Sequence, residues 1–177
     1  MKINRVQRDV FILLLSELDK AGVAPRQLFS EIRQRGVTLS DTSQAVVAGP
    51  DAMILLEAAV DLTGDPCLAL RLGQRVGITS YGSFGFALMS CANLRESVRL
   101  LLRYGQAFFQ PTWIAYEHEG GMLLRANIAR GTAAQQQLVT ELCFSNLNAV
   151  GRSLYGSQVE AAQGVELQLS YPRPAHS

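Results

Sequence analysis

Over the first half of the chain, apolar residues recur every three or four positions, the period of a single helical face. Between Arg5 and Ala21 the series is Val6, Val10, Phe11, Leu14, Leu15 and Leu18, with Gly22 where a left-handed stop belongs. Pro25 opens a shorter helix with Leu28, Phe29 and Ile32 on one face and Gly36 at its end, so the two predict a helical hairpin. Residues 37–49 are polar and irregular and read as loop. Pro50 and Asp51 start a third helix with Ile54, Leu55, Ala58 and Leu62 inward and Gly64 last. Asp65 and Pro66 introduce a fourth, in which Leu68, Leu70 and Leu72 precede Gly73. The glycines of GITSYGSFG predict a sharp turn, followed by a short buried helix from Phe84 to Met89. Asn93 and Glu96 have capping-box spacing ahead of LRESVRLLLRYGQAFF, which carries Val98, Leu101, Leu102 and Phe108 at core spacing.

The period then drops to two. TWIAYEH and MLLRANI are β-rich runs separated by Glu119, Gly120 and Gly121, a hairpin signature. A long helix follows from about Ala133 to Tyr155, with Leu138, Leu142, Cys143, Leu147, Val150 and Leu154 as its stripe and Gly156 at its end. VELQLSY alternates Val165, Leu167, Leu169 and Tyr171 with polar residues and predicts a further half-buried strand, stopped by Pro172 and Pro174. The fold class is therefore α+β, without the alternation of a doubly wound sheet. A mainly helical part, residues 1–110, packs on a small, partly antiparallel sheet with a long covering helix, the hairpin–helix–strand part of residues 111–172. The 177 residues are expected to form a single domain.

Composition narrows the partners. Sixteen basic against fifteen acidic residues give a net charge of +1, so no charge excess exists to hold a polyanion by counterion release. The three cysteines, Cys67, Cys91 and Cys143, are widely spaced in apolar sequence, as expected of reduced core residues in a cytoplasmic protein. The apolar run Val10–Leu15 is too short for a signal peptide or membrane span.

Catalytic patterns are missing where they would be expected. His118 has Glu117 and Glu119 beside it, but in a strand those glutamates point to the opposite face, and His176 is isolated, so no metal site and no cofactor are expected. There is no Gly-x-Ser-x-Gly elbow, and Cys143 reads as packing. Gly77 and Gly82 have Walker spacing, yet Ser83 stands where the phosphate-reaching lysine belongs. The turn reads as structural, with the option of lining a pocket. Arginine dominates the basic residues: Arg71 and Arg75 lie on one helix, and Arg95, Arg99 and Arg103 align at a spacing of four on another, either as solvated surface or as anchors for an anionic group.

DLTGDPCLALRLGQRVGITSYGSFGFALMSCANLRESVRLLLRYGQAF resembles the N-terminal regulatory domain of AraC/XylS-type transcriptional regulators, in the branch of ornithine-utilisation and quorum-sensing regulators. The shared order is a Thr-Gly-Asp-Pro helix start, a Leu-Arg-Leu-Gly end, a Tyr-Gly-x-x-Gly turn and a Leu-Arg-Glu helix running to Arg-Tyr; RSLYGSQVEAAQGVELQLSYPRP continues it. Ala69 and Asn93 stand where Gly and Thr are usual, changes that a helix interior and a cap tolerate. The resemblance implies a sensing and dimerising domain, not an enzyme, that binds a small-molecule effector and passes a bias to a helix-turn-helix DNA-binding domain expected beyond Ser177. A small cytoplasmic enzyme acting on an apolar or anionic metabolite is the alternative. The effector is expected between the glycine turn and the Arg-Tyr helix end, against Tyr81, Phe84, Phe86, Arg103, Tyr104 and Phe108. A homodimer is expected to use the long helix around Leu138, Leu142 and Leu147.

Overall fold

A computed structural model describes residues 5–37, 50–105, 111–118, 121–156 and 168–171. Within them, α1 spans Arg5–Lys20, α2 Pro25–Gln34, α3 Pro50–Thr63 and α4 Leu68–Arg75. A 3-10 turn at Ile78–Tyr81 leads into α5 (Ser83–Met89) and α6 (Leu94–Tyr104). The strands β1 (Thr112–His118) and β2 (Gly121–Asn127) precede α7, Ala133–Tyr155. No described helix is long and apolar enough to cross a membrane.

The α1–α2 hairpin forms as the pattern predicts, with Phe11, Leu14, Leu18, Leu28 and Ile32 buried together. α3 joins this cluster through Leu55, Leu56, Ala58 and Ala59, and α4 through Leu68, Ala69 and Leu72. The α1–α4 contact also carries charge. Glu17 is only 7% exposed and takes a hydrogen bond from Lys20 Nζ at 2.8 Å, with Arg71 at 3.4 Å and Arg75 also on its carboxylate. The Lys20 hydrogen bond, followed by the charges of Lys20, Arg75 and Arg71, holds the Glu17 carboxyl below its ordinary value against the cost of burial. Arg71 in addition pairs with Asp65, whose carboxylate accepts the Cys67 amide at 2.9 Å ahead of α4.

Two features of α4 differ from the sequence pattern. Gly73 does not end the helix, which runs on to Arg75, and Leu70 faces outward while Ala69 takes the buried place. The reason lies in α7, which crosses α4 closely enough that a Cβ on Gly73 would sit 2.3 Å from the Leu142 carbonyl and 2.9 Å from Ser145 Cβ. Glycine here is demanded by helix contact, not by termination. Ser145 Oγ completes the junction by donating to the Leu70 carbonyl at 2.7 Å.

A second cluster gathers Met53, Val76, Tyr81, Phe84, Leu88, Leu101, Trp113, Val139, Cys143 and Val150. Leu13 of α1 packs on both clusters, and α7 contributes Leu138 and Leu142 to the first and Val139 and Cys143 to the second. α7 starts from a reciprocal box: Thr132 Oγ1 accepts the Gln135 amide at 3.2 Å while Gln135 Oε1 accepts the Thr132 amide at 3.1 Å. The box predicted before α6 forms with a shift, because Asn93 Oδ1 accepts the Glu96 amide at 3.0 Å but the Glu96 carboxylate reaches back to the Ala92 amide at 2.9 Å.

The strands pair antiparallel, Thr112 opposite Asn127 and His118 opposite Gly121, so Gly121 belongs to β2 and not to the loop. Trp113 turns inward and meets Phe144 of α7 edge-on at 5.5 Å, whereas Ile114, Tyr116 and Leu123 face out. α7 packs mainly against α3 and α4 and also meets the hairpin, through Trp113 and the second cluster. Of the strand expected at VELQLSY only Gln168–Tyr171 is described, in irregular conformation; Val165, Glu166 and Leu167 lie outside the described residues. Sequence and structure agree on an α+β molecule.

Candidate functional site

The glycine turn is where sequence reading placed ligand contacts, and its local chemistry explains its shape. Gly82 has φ +55° and ψ −129°, a conformation that L side chains rarely adopt, and it redirects the chain from the 3-10 turn into α5. The redirection puts Tyr81 and Phe84 on the same inner side, their rings edge-on at 6.2 Å. The Tyr81 hydroxyl donates to Asn146 Oδ1 on α7. Asn146 Nδ2 in turn donates to the Gly73 carbonyl at 2.9 Å and the Val76 carbonyl at 2.7 Å, the free acceptors at the end of α4. Burial pushes the Tyr81 phenol well above its ordinary pKa, so it stays a donor at any physiological pH. Cys143 beside it is pushed up to about 12 by burial alone, an inert protonated thiol.

The remaining expected ligand residues lie on the surface. α5 is amphipathic and not buried throughout: Phe84, Gly85 and Leu88 face in, while Phe86 is 64% exposed and Met89 is also exposed. Arg103 and Tyr104 are exposed at the end of α6, the guanidinium carbon of Arg103 5.3 Å from the Tyr104 ring centroid. Phe108 lies outside the described residues. Tyr81 and Phe84 thus sit together in the second cluster, and Phe86, Arg103 and Tyr104 stand in solvent.

The arginine row of α6 divides. Arg95 and Arg99 both hold Glu117 of β1, at 3.1 Å and 3.0 Å, and this pins the hairpin to the helix. Hydrogen bonding from Arg99, then the charges of Arg99 and Arg95, keeps the Glu117 carboxyl below its ordinary value. At the same, N-terminal end of α6, Tyr155 of α7 donates to the Asn93 carbonyl at 3.0 Å and also meets the Ser97 hydroxyl. Leu138, Leu142 and Leu147 of α7 are all half-buried, the first two against the α1–α4 cluster and the third against the Tyr81 cluster.

Sequence reading missed one residue of α7. Glu141 is 8% exposed although it projects roughly 200° round the helix from the core residue Val139. Asn148, one heptad on along the same side, is exposed as that direction predicts. Gln137 Nε2 donates to Glu141 Oε1 at 2.9 Å, and the Tyr171 hydroxyl lies 3.5 Å from the same oxygen. Its sequence signal is that it is the lone carboxylate in the 23 residues of α7. Among the described residues, no three His, Cys, Asp or Glu side chains gather as metal ligands.

Residues 22–177 match the family described as the arabinose-binding domain of AraC transcription regulators, N-terminal. The chain is 31% identical over 169 residues to the ornithine utilization regulator of Pseudomonas aeruginosa, covering 93% of this chain and 48% of that protein. It is 30% identical over 95 residues to uncharacterized HTH-type transcriptional regulators of Mycobacterium bovis and Mycobacterium tuberculosis, covering 46% of this chain and 28% of each. The chain belongs to the N-terminal domain family of AraC-type transcription regulators. It spans about half the length of the Pseudomonas relative, and its family and relatives are described as regulators of transcription.

Proposed function

We propose that this chain is the effector-sensing and dimerising domain of an AraC-type regulator acting in the cytoplasm, with DNA contacted by a separate helix-turn-helix domain of the full-length protein. The observation that carries this reading is the match to the ornithine utilization regulator along 93% of the chain. A net charge of +1 supports leaving DNA contact to another domain.

The effector is assigned to the α5–α6 surface. Phe86, Arg103 and Tyr104 offer an exposed aromatic and cationic set, backed by the buried Tyr81 and Phe84; Phe108, expected from the sequence to join them, lies outside the described residues. Arg103 has the most specific role, since a guanidinium already seated on a ring presents its donors to a carboxylate or phosphate. Calorimetric titration of metabolites of each charge class into the wild type and Arg103→Ala tests this. An anionic effector should lose on the order of 1.5–3 kcal/mol of binding in the variant, and equal affinities would remove Arg103 from the site. If no metabolite of any class binds, the sensor reading falls.

For self-association, Leu138, Leu142 and Leu147 are already engaged inside, so α7 contributes to a dimer only through what those contacts leave open. Ile114, Tyr116 and Leu123 on the outer hairpin face supply the more exposed apolar set. Light scattering at micromolar concentration should show a dimer that Tyr116→Asp with Leu123→Asp converts to monomer. A wild-type monomer refutes dimerisation by this domain.

A further inference from the structure

We propose that α6 is a strut that couples the outer face of the hairpin to the end of α7, with Glu117 and Tyr155 as its two joints. The inference starts from how little of α6 the core holds. Of its eleven residues, Ser97 and Leu101 are the buried ones. A helix with so narrow a buried stripe takes its position from its flanks, and the described polar contacts of α6 grip it from two opposite sides.

Arg95 and Arg99 lie about one turn apart and divide one carboxylate of β1 between them: Arg95 Nη1 donates to Glu117 Oε2 at 3.1 Å, and Arg99 Nη2 to Oε1 at 3.0 Å. A single exposed ion pair constrains little, but guanidiniums from successive turns on both oxygens of one carboxylate fix the helix in rotation as well as in distance. Ser97 stands roughly 200° round the helix from Arg95, on the side of α7. There the Tyr155 hydroxyl donates to the Asn93 carbonyl at 3.0 Å, which leaves its oxygen to accept from the Ser97 hydroxyl. Hairpin and α7 therefore hold opposite sides of the same short stretch, residues 93–99.

Each joint sits next to something that a regulator would need to move. Glu117 follows Tyr116, whose ring shares the exposed outer face of the hairpin with Ile114 and Leu123. Tyr155 is the last residue of α7, where Val150 is the last one buried; beyond it Leu154 packs on the second cluster and Tyr155 reaches α6. A partner on the outer face that shifts β1 displaces Glu117, and α6, stiffened by its own backbone hydrogen bonds, carries the displacement to Asn93, Ser97 and so to Tyr155. Arg103 and Tyr104 ride on the same helix, so an effector held there acts on both joints at once.

The biological use of the strut rests on the sensing and dimerising reading, whereas the coupling itself is measurable without effector or partner. The test is amide hydrogen exchange of the 177-residue chain by NMR, read at residues 152–156 relative to residues 139–146 in the buried part of the same helix. Glu117→Gln should raise this ratio at least twofold, although its described partners are all on α6. Arg95→Gln with Arg99→Gln should do the same from the other side of the joint. In Tyr155→Phe, where the end of α7 is already released, Glu117→Gln should add nothing further, the signature of one shared route. Arg125→Gln, on the exposed face of β2, should leave the ratio unchanged. A rise confined to α6 and β1, an equal rise at residues 139–146, an undiminished effect of Glu117→Gln in Tyr155→Phe, or an equal effect of Arg125→Gln each overturns the strut. None of these results touches the sensing and dimer reading, which titration and light scattering decide.

Discussion

At the scale of single residues, stability concentrates in polar atoms that the core cannot leave unpaired. Asn146 serves three partners at once, the Tyr81 hydroxyl and the carbonyls of Gly73 and Val76. Asn146→Ala strands all three where water reaches them poorly, so it should destabilise the chain by about 2–4 kcal/mol, read as a lower urea midpoint at unchanged slope. A loss under about 0.5 kcal/mol would mean that the node is solvated. Glu17 sets a pH dependence of known sign. Its folded carboxyl lies below the ordinary value of 4.5, so the stabilisation is present above that pH and is lost as pH falls through the lower folded value. Stability of the wild type should therefore drop more steeply than that of Glu17→Gln on acidification below about pH 4.5. At pH 7 the variant should cost only about 1–2 kcal/mol, because Lys20, Arg71 and Arg75 remain partly hydrated. Parallel pH profiles would contradict the assignment of this pair to α1–α4 adhesion.

At the scale of elements, α4 against α7 is the tightest junction, and Gly73 tests it. Gly73→Ala places a methyl group against the Leu142 carbonyl and the Ser145 side chain, neither of which is the loose end of a flexible chain. Although alanine favours helix, the crowding should outweigh the roughly 1 kcal/mol of propensity gained. The net change should be a destabilisation of about 1–3 kcal/mol in thermal or urea unfolding, and a more stable variant would show that α7 can back away. This glycine also marks the boundary of what the sequence made legible. Helix periodicity and caps gave the helices, because those signals are local: α1, α2 and α7 stand where Leu14, Leu28 and Ala133 placed them. Tyr81 and Phe84 were legible as neighbours for the same reason, since one glycine turn sets both. The inward side of α4 was not, because Ala69 replaces Leu70 only when the Leu142 backbone arrives from more than seventy residues downstream. For the same reason the five described residues of the expected ligand set divide between core and surface, as which face of a seven-residue helix is covered depends on α6 and the hairpin.

At the scale of the whole molecule, we propose that residues 1–177 fold as one unit, and the two apolar clusters give the means to check it. The first is built by α1–α4, the second by the glycine turn, α5, α6, the hairpin and α7. Two clusters of this size could melt separately, as the helical and hairpin parts would if each were self-sufficient. Three links oppose that: Leu13 packs on both, α7 gives side chains to both, and the Asn146 node bonds α7 to the end of α4 and to Tyr81. Separating the clusters would expose the shared apolar surface and the three bonded atoms together, so partial unfolding has little to gain. Trp113, the chain's sole tryptophan, sits in the second cluster and reports that cluster alone, whereas far-ultraviolet circular dichroism weighs the helices of both. The two signals should therefore give coincident urea midpoints, within about 0.2 M, and one common slope. Asn146→Ala should lower both midpoints equally. Tryptophan fluorescence changing at a lower urea concentration than the helical signal would instead divide the chain into two units and place the hairpin and its partners on the weaker one.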